Sequence, residues 1–224
     1  MNDTPENAVK YQRYDDSKWT IPLYGNVSSV TESILISYLQ DKLLPFPQSI
    51  LFKDSPTNQQ LLIYAETIGP LLADATPSLF YSDFYRLLGD ITSQLHYYEN
   101  HGYVHVGFDV HDIVQIRFSD NTPSKFVILN DKYVCKIHPY NKMDAQIIYV
   151  SGTGPHYCSP EIVQNIANKR FPITIHIHAG YYGFGKYMEY ILTFCHGLAS
   201  QTKICGFLER CFHPNEDVRT LLYL

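Results

Sequence analysis

The chain has 224 residues and a formal net charge of −5, with 17 Lys and Arg against 22 Asp and Glu. That balance weighs against a sequence-independent nucleic-acid binder, which needs a basic surface to neutralise phosphates. No uncharged apolar run reaches the ~18 residues of a membrane span, and no basic stretch followed by an apolar run opens the sequence, so neither a membrane nor an export signal is expected.

The five Cys are an odd number and are expected as free thiols in a reducing, cytoplasmic compartment. The 19 Tyr fit an A/T-rich genome, such as that of a large DNA virus or a protist.

Residues 1–19, MNDTPENAVKYQRYDDSKW, are polar and lack periodicity, which predicts an arm; the polar N-terminal region as a whole runs over 1–28. Ser29 and Glu32 have capping-box spacing ahead of Ile34, Leu35, Tyr38 and Leu39, predicting a helix over 29–42. Ser49–Phe52 and Gln60–Tyr64 read as strands around a turn-rich loop. Phe84, Leu87, Leu88, Ile91, Leu95 and Tyr98 then make one apolar stripe of a long helix, and Gly102 stands where a C-terminal glycine cap belongs. The segment 103–134 is β-rich, with a hairpin from Val114–Phe118 and Lys125–Leu129. Helices are predicted at 160–167 and 182–199, the second with Phe184, Tyr187, Met188, Ile191, Cys195 and Leu198 on its core face. The order of elements predicts an α+β fold with a mainly helical second half.

Five motifs fall in order along this frame. Gln60–Glu66 reads QLLIYAE. The long helix runs into LHYYENHGYVH and then HVGFDVHD. Gly152-Thr153 precedes Tyr157-Cys158-Ser159-Pro160-Glu161. GYYGFG occupies 180–185, and CFHPNEDVRT closes the series at 211–220. Over residues 29–224 this resembles a protein kinase domain, chiefly its C-terminal lobe. The resemblance implies a reduced N-terminal lobe and hinge at 29–66 and a kinase-like, mainly helical C-terminal lobe at 67–224.

Carried over position by position, His105 matches the histidine of the catalytic loop. Val106 stands for its arginine, Gly107 for the catalytic aspartate, Asp109 for the lysine and Asp112 for the asparagine. The metal-binding D-F-G triplet is replaced by Asn130-Asp131-Lys132. Glu161 and Arg219 match the structural glutamate and arginine that pair in the family, and Gly185 matches the glycine of the buried helix start.

Phosphoryl transfer rests on positioning and charge neutralisation by metal ions. It needs an acid to accept the hydroxyl proton, which Gly107 lacks, and a carboxylate for magnesium, where Asn130 is neutral. The first 28 residues hold only Gly25 and no G-x-G-x-x-G loop. The resemblance and its departures together imply a pseudokinase: no catalytic residue, no cofactor, no metal. Its use is then as a binding or structural module, with other protein subunits as partners, contacted partly through the arm 1–19. It belongs to the cytoplasm, or to the host cytoplasm or virion if the source is viral. The alternative is an atypical active kinase or nucleotide-binding enzyme in which Asp109 and Asp112 rescue a metal site.

Three sharper motifs have ordinary readings. Gly180–Lys186, GYYGFGK, lacks the hydroxyl residue that completes a phosphate loop and reads as a packed helix start. His176 and His178 match no zinc spacing. Cys158, beside His156, reads as a buried thiol rather than a nucleophile.

Overall fold

The structure, a computed structural model, describes residues 12–15, 18–24, 30–42, 49–55, 58–71, 81–118, 122–130, 132–141, 143–147, 154–168, 170, 172–195, 198 and 201–221. They form a mixed α+β protein. In chain order the elements are β1 (Gln12–Asp15), β2 (Lys18–Tyr24), α1 (Val30–Lys42), β3 (Ser49–Ser55), β4 (Asn58–Tyr64), β5 (Thr67–Pro70), α2 (Tyr81–Asn100), β6 (Tyr103–His105), β7 (Gly107–Phe108), β8 (Ile113–Arg117) and β9 (Lys125–Ile128). There follow β10 (Val134–Lys136), β11 (Asp144–Ile147), β12 (Tyr157–Cys158), α3 (Pro160–Ala167), β13 (Ile173–His176), α4 (Ala179–Leu192), α5 (Thr202–Cys211) and a 3-10 turn at Glu216–Val218.

The chain makes two compact units that interleave along the sequence. The first draws on 1–73, 85–97 and 111–132, the second on 74–84, 98–110 and 133–224. The division expected at residue 66 was contiguous and does not separate these units.

In the first unit β1, β2, β4 and β3 form an antiparallel sheet in that order. Strand β2 pairs with β4 from Lys18↔Tyr64 to Tyr24↔Asn58. This corrects the expectation of an arm: residues 12–15 and 18–24 belong to the chain's own sheet, and residues 1–11 lie outside the described residues. The overlooked signal is the alternation of Trp19, Ile21 and Leu23, a period-two pattern.

The second sheet of this unit is β5-β8-β9. The edge of β9 is closed by side chains of α2 acting as a surrogate strand. The amide of Gln94, fully buried, donates to Ile128 O at 2.9 Å and accepts from Ile128 N at 2.8 Å. One turn earlier, Asp90 accepts from Phe126 N at 3.0 Å and from Lys125 Nζ at 2.9 Å. The predicted stripe of α2 is buried along its whole length, and Gly102 ends it at φ 80°, donating to Glu99 O at 3.0 Å.

The second unit contains three two-stranded antiparallel pairs, β6–β10, β7–β12 and β11–β13. Helix α4 is buried at most of its positions. It begins at Ala179 rather than 182, because Gly180 and Gly183 let it approach backbone closely. A Cβ on Gly180 would stand 1.8 Å from His105 O, and one on Gly183 would stand 2.8 Å from Tyr157 O. It ends at Leu192 rather than 199. There the amides of Thr193, Phe194 and Cys195 reach back three residues, and Thr193 Oγ1 donates to Tyr190 O at 2.7 Å, which tightens the chain out of the α pattern. Helix α5 was not among the predicted elements, although Ile204, Phe207, Leu208 and Cys211 carry its period.

Substituting Gln94 with Leu strands a buried N–H and a buried C=O of β9. The expected loss is about 2–4 kcal/mol, read from the urea midpoint at constant slope. A loss near zero would show that water reaches this edge.

Candidate functional site

Each position that the resemblance matches to a catalytic loop has a definite environment. In the second unit, His105 ends β6 and is buried, its ring 4.5 Å from that of Phe108 and 6.5 Å from that of Tyr133. Val106, buried beside it, donates its amide to Tyr133 O at 2.9 Å. Gly107 lies in β7 opposite Cys158 of β12. A Cβ there would meet Pro155 Cγ at 2.5 Å, Pro155 Cβ at 2.7 Å and Cys158 Cβ at 3.1 Å. The space an acidic side chain would need is filled by protein.

Asp109, half-buried, is a structural tie. One carboxylate oxygen accepts the hydroxyl of Tyr133 at 2.7 Å, the other the amide of His156 at 3.0 Å. It thereby joins the strand after Tyr133 to the turn that covers Gly107.

In the first unit, Asp112 and Asn130 are both buried and bonded to each other: the amide of Asn130 donates to Asp112 Oδ1 at 2.7 Å. Its oxygen accepts from Lys132 N at 2.9 Å, and Leu129 N donates to Asp112 O at 3.2 Å. Carboxylate and amide thus hold the two ends of the β8–β9 hairpin together. Among the described residues no group of three His, Cys, Asp or Glu is placed to hold a metal ion.

The contact expected between Glu161 and Arg219 is present, across 58 residues of chain: Arg219 Nη1 lies 2.9 Å from Glu161 Oε1. Arg219 is 3% exposed, its Nε donates to His213 O at 2.9 Å, and its guanidinium lies 5.1 Å from the ring centre of Tyr182. Glu161 sits in the first turn of α3, after Ser159 in extended conformation and Pro160 at the first helical position. Burial pulls its carboxyl upward, but the hydrogen bond and charge of Arg219 hold it below the usual carboxylate range. Gly185 packs α4 onto α5, a Cβ there standing 2.6 Å from Cys211 Cβ and 2.8 Å from Phe212 Cε1.

The GYYGFGK segment is helix, and its Lys186 is engaged with Glu189 Oε2 at 2.8 Å and with the ring of Phe212 at 4.4 Å. An open groove of about 440 Å³ runs past Tyr157, Cys158, Val163, Tyr182 and Lys186. Burial, with Glu161 and Asp109 nearby, pushes the Cys158 thiol up to about 11, so it is no thiolate nucleophile at neutral pH.

His176 and His178 have a role that sequence reasoning missed. His176 Nε2 lies 3.0 Å from Asp217 Oδ1, and His178 Nδ1 lies 3.2 Å from Glu216 O. No local signal announces a contact across about 40 residues of chain. In comparison with known proteins, no family model matches the chain and no curated protein matches it in sequence.

Replacing Asp109 with Ala removes two charge-assisted hydrogen bonds at a half-buried position, an expected loss of about 2–3 kcal/mol in denaturant unfolding. Asn, which keeps one acceptor, recovers part of it. A loss below about 0.5 kcal/mol, typical of surface positions, would refute the tie.

Proposed function

We propose that this chain is a kinase-like domain without phosphotransferase activity, serving as a protein-binding or structural module. The observation that carries the proposal is the closure over Gly107. The resemblance assigns that position the group that accepts the substrate proton, and Pro155 and Cys158 occupy the volume around it. A general base must come within ~3 Å of the hydroxyl it deprotonates, and a glycine packed under a proline ring offers neither base nor access.

The neighbouring positions support the same proposal. Asp109 spends both oxygens on Tyr133 and His156. Asp112 Oδ1 accepts the amide of Asn130, whose own oxygen accepts from Lys132 N. The Glu161–Arg219 pair, which in the kinase family is architectural, is kept. Such a division, with architecture retained and chemistry absent, fits a module whose work is done by its surface. Tyr140, Val163 and Tyr190 are exposed on the second unit, and tyrosine is enriched where proteins meet.

With magnesium and ATP, the purified protein is expected to show no phosphate transfer to itself or to a generic acceptor, and no thermal shift. Gly107→Asp is expected to lower the melting temperature and to leave transfer absent. Transfer above background that disappears in Asp112→Ala would overturn the proposal in favour of an atypical kinase.

A further inference from the structure

Val163 on α3 is 54% exposed, while Ile162 beside it is buried. The exposed side chain stands on the open groove of about 440 Å³, which Pro160, Tyr157 and Tyr182 also line. These walls are set in advance. The Tyr157 ring packs against those of Tyr187 at 5.3 Å and Tyr190 at 5.9 Å, and Arg219 lies 5.1 Å from the ring centre of Tyr182. A site already in its bound shape loses little freedom when it is filled.

The groove carries charge of one sign. Lys186 lines it and neither Asp nor Glu does, although the whole chain has a net charge of −5. The ammonium is held 4.4 Å from the ring centre of Phe212 and 5.9 Å from that of Tyr182. An ammonium has three N–H donors, and Glu189 accepts one of them at 2.8 Å. Both members of that pair are solvent-accessible, and water screens such a pair, so Glu189 competes only weakly for the cation. The carboxylate of Glu161 is neutralised by Arg219.

Small-molecule sites enclose most of their ligand. This groove is open to solvent, as a chain passing through it requires. Apolar walls beside a single cation match an extended peptide that sets a carboxylate next to an apolar side chain.

We propose that this groove docks an acidic peptide segment of a partner protein, its apolar side chain against Val163 and Tyr157 and its carboxylate on Lys186. This rests on the reading of the chain as a protein-binding module, and it names the site and the class of partner. The charge-assisted hydrogen bond to Lys186 selects the acidic residue, and the apolar walls supply contact that does not depend on it.

The test titrates the peptide acetyl-Ala-Leu-Glu-Phe-Ala-amide, and its twin with Gln for Glu, into the nitrogen-15-labelled full chain. Amide shifts at Val163, Gln164 and Lys186 are expected to saturate with a Kd of about 1 mM or below for the acidic peptide, and the twin to bind about tenfold more weakly. In Lys186→Met the two peptides are expected to bind alike. In Glu189→Gln, which removes the competing carboxylate, the acidic peptide is expected to bind about twofold to fivefold more tightly. Val163→Asp, at an exposed position, is expected to lose both peptides while its core amides keep their shifts.

No saturable shift at these three residues overturns the proposal, and so does equal affinity of the two peptides for wild type. The second comparison decides the matter even if Lys186→Met does not fold. Sedimentation showing a dimer that Val163→Asp dissolves would assign the groove to a second copy of this chain and overturn the proposal as well. Failure here leaves the expected absence of phosphate transfer standing, and transfer above background leaves the peptide titration standing, so the two readings fail separately.

Discussion

The second unit is organised around one guanidinium. Arg219, buried near the end of the described chain, reaches Glu161 in the first turn of α3. Through Glu161 it fixes the residues just before that helix: Ser159 in extended conformation, β12 at Tyr157–Cys158, and the turn at Pro155. Strand β12 pairs with β7, and the turn seats the proline ring over Gly107. The pair is a strong constraint because its partners are hard to replace. A buried cation left alone is uncompensated, and Arg219 also spends Nε on His213 O and its face on Tyr182.

The packing around this constraint leaves little slack. Four glycines, at 107, 180, 183 and 185, stand where a Cβ would collide with a proline, a backbone carbonyl or a neighbouring helix. Three of them lie in α4, where glycine ordinarily weakens a helix. The close approach they permit offsets that loss: α4 lies directly against backbone of β6 and β12, and the aromatic rings of Phe108, Phe184 and Tyr187 fill the remaining space at centroid distances of 5.7 and 6.0 Å from Phe108. A position so enclosed is a part of the core.

What was legible in the sequence depended on the range of the cause. The stripe of α2 and the positive φ at Gly102 follow from local periodicity and glycine chemistry, and both are found. The Glu161–Arg219 contact was reachable only through the resemblance, since no periodicity links residues 58 apart. Strand β2 and helix α5 carried their periods openly in Trp19, Ile21 and Leu23 and in Ile204, Phe207, Leu208 and Cys211. Polar neighbours flank the first of these periods, and the closing CFHPNEDVRT motif overlaps the end of the second. The double tie at Asp109 and the engagement of His176 and His178 were not legible at all. Each arises from a segment that returns across tens of residues, and two of these contacts end on backbone groups, His156 N and Glu216 O, that no side-chain pattern encodes.

The central claim is that Glu161 and Arg219 act as a unit holding the turn over Gly107, and a double-mutant cycle tests it most directly. Equilibrium unfolding of wild type, Glu161→Gln, Arg219→Met and the double variant yields their coupling energy. A coupling of about 2–3 kcal/mol is expected, with the double variant scarcely less stable than the worse single one. Additive losses, with a coupling below about 0.5 kcal/mol, would contradict the account and leave the closure over Gly107 without its anchor.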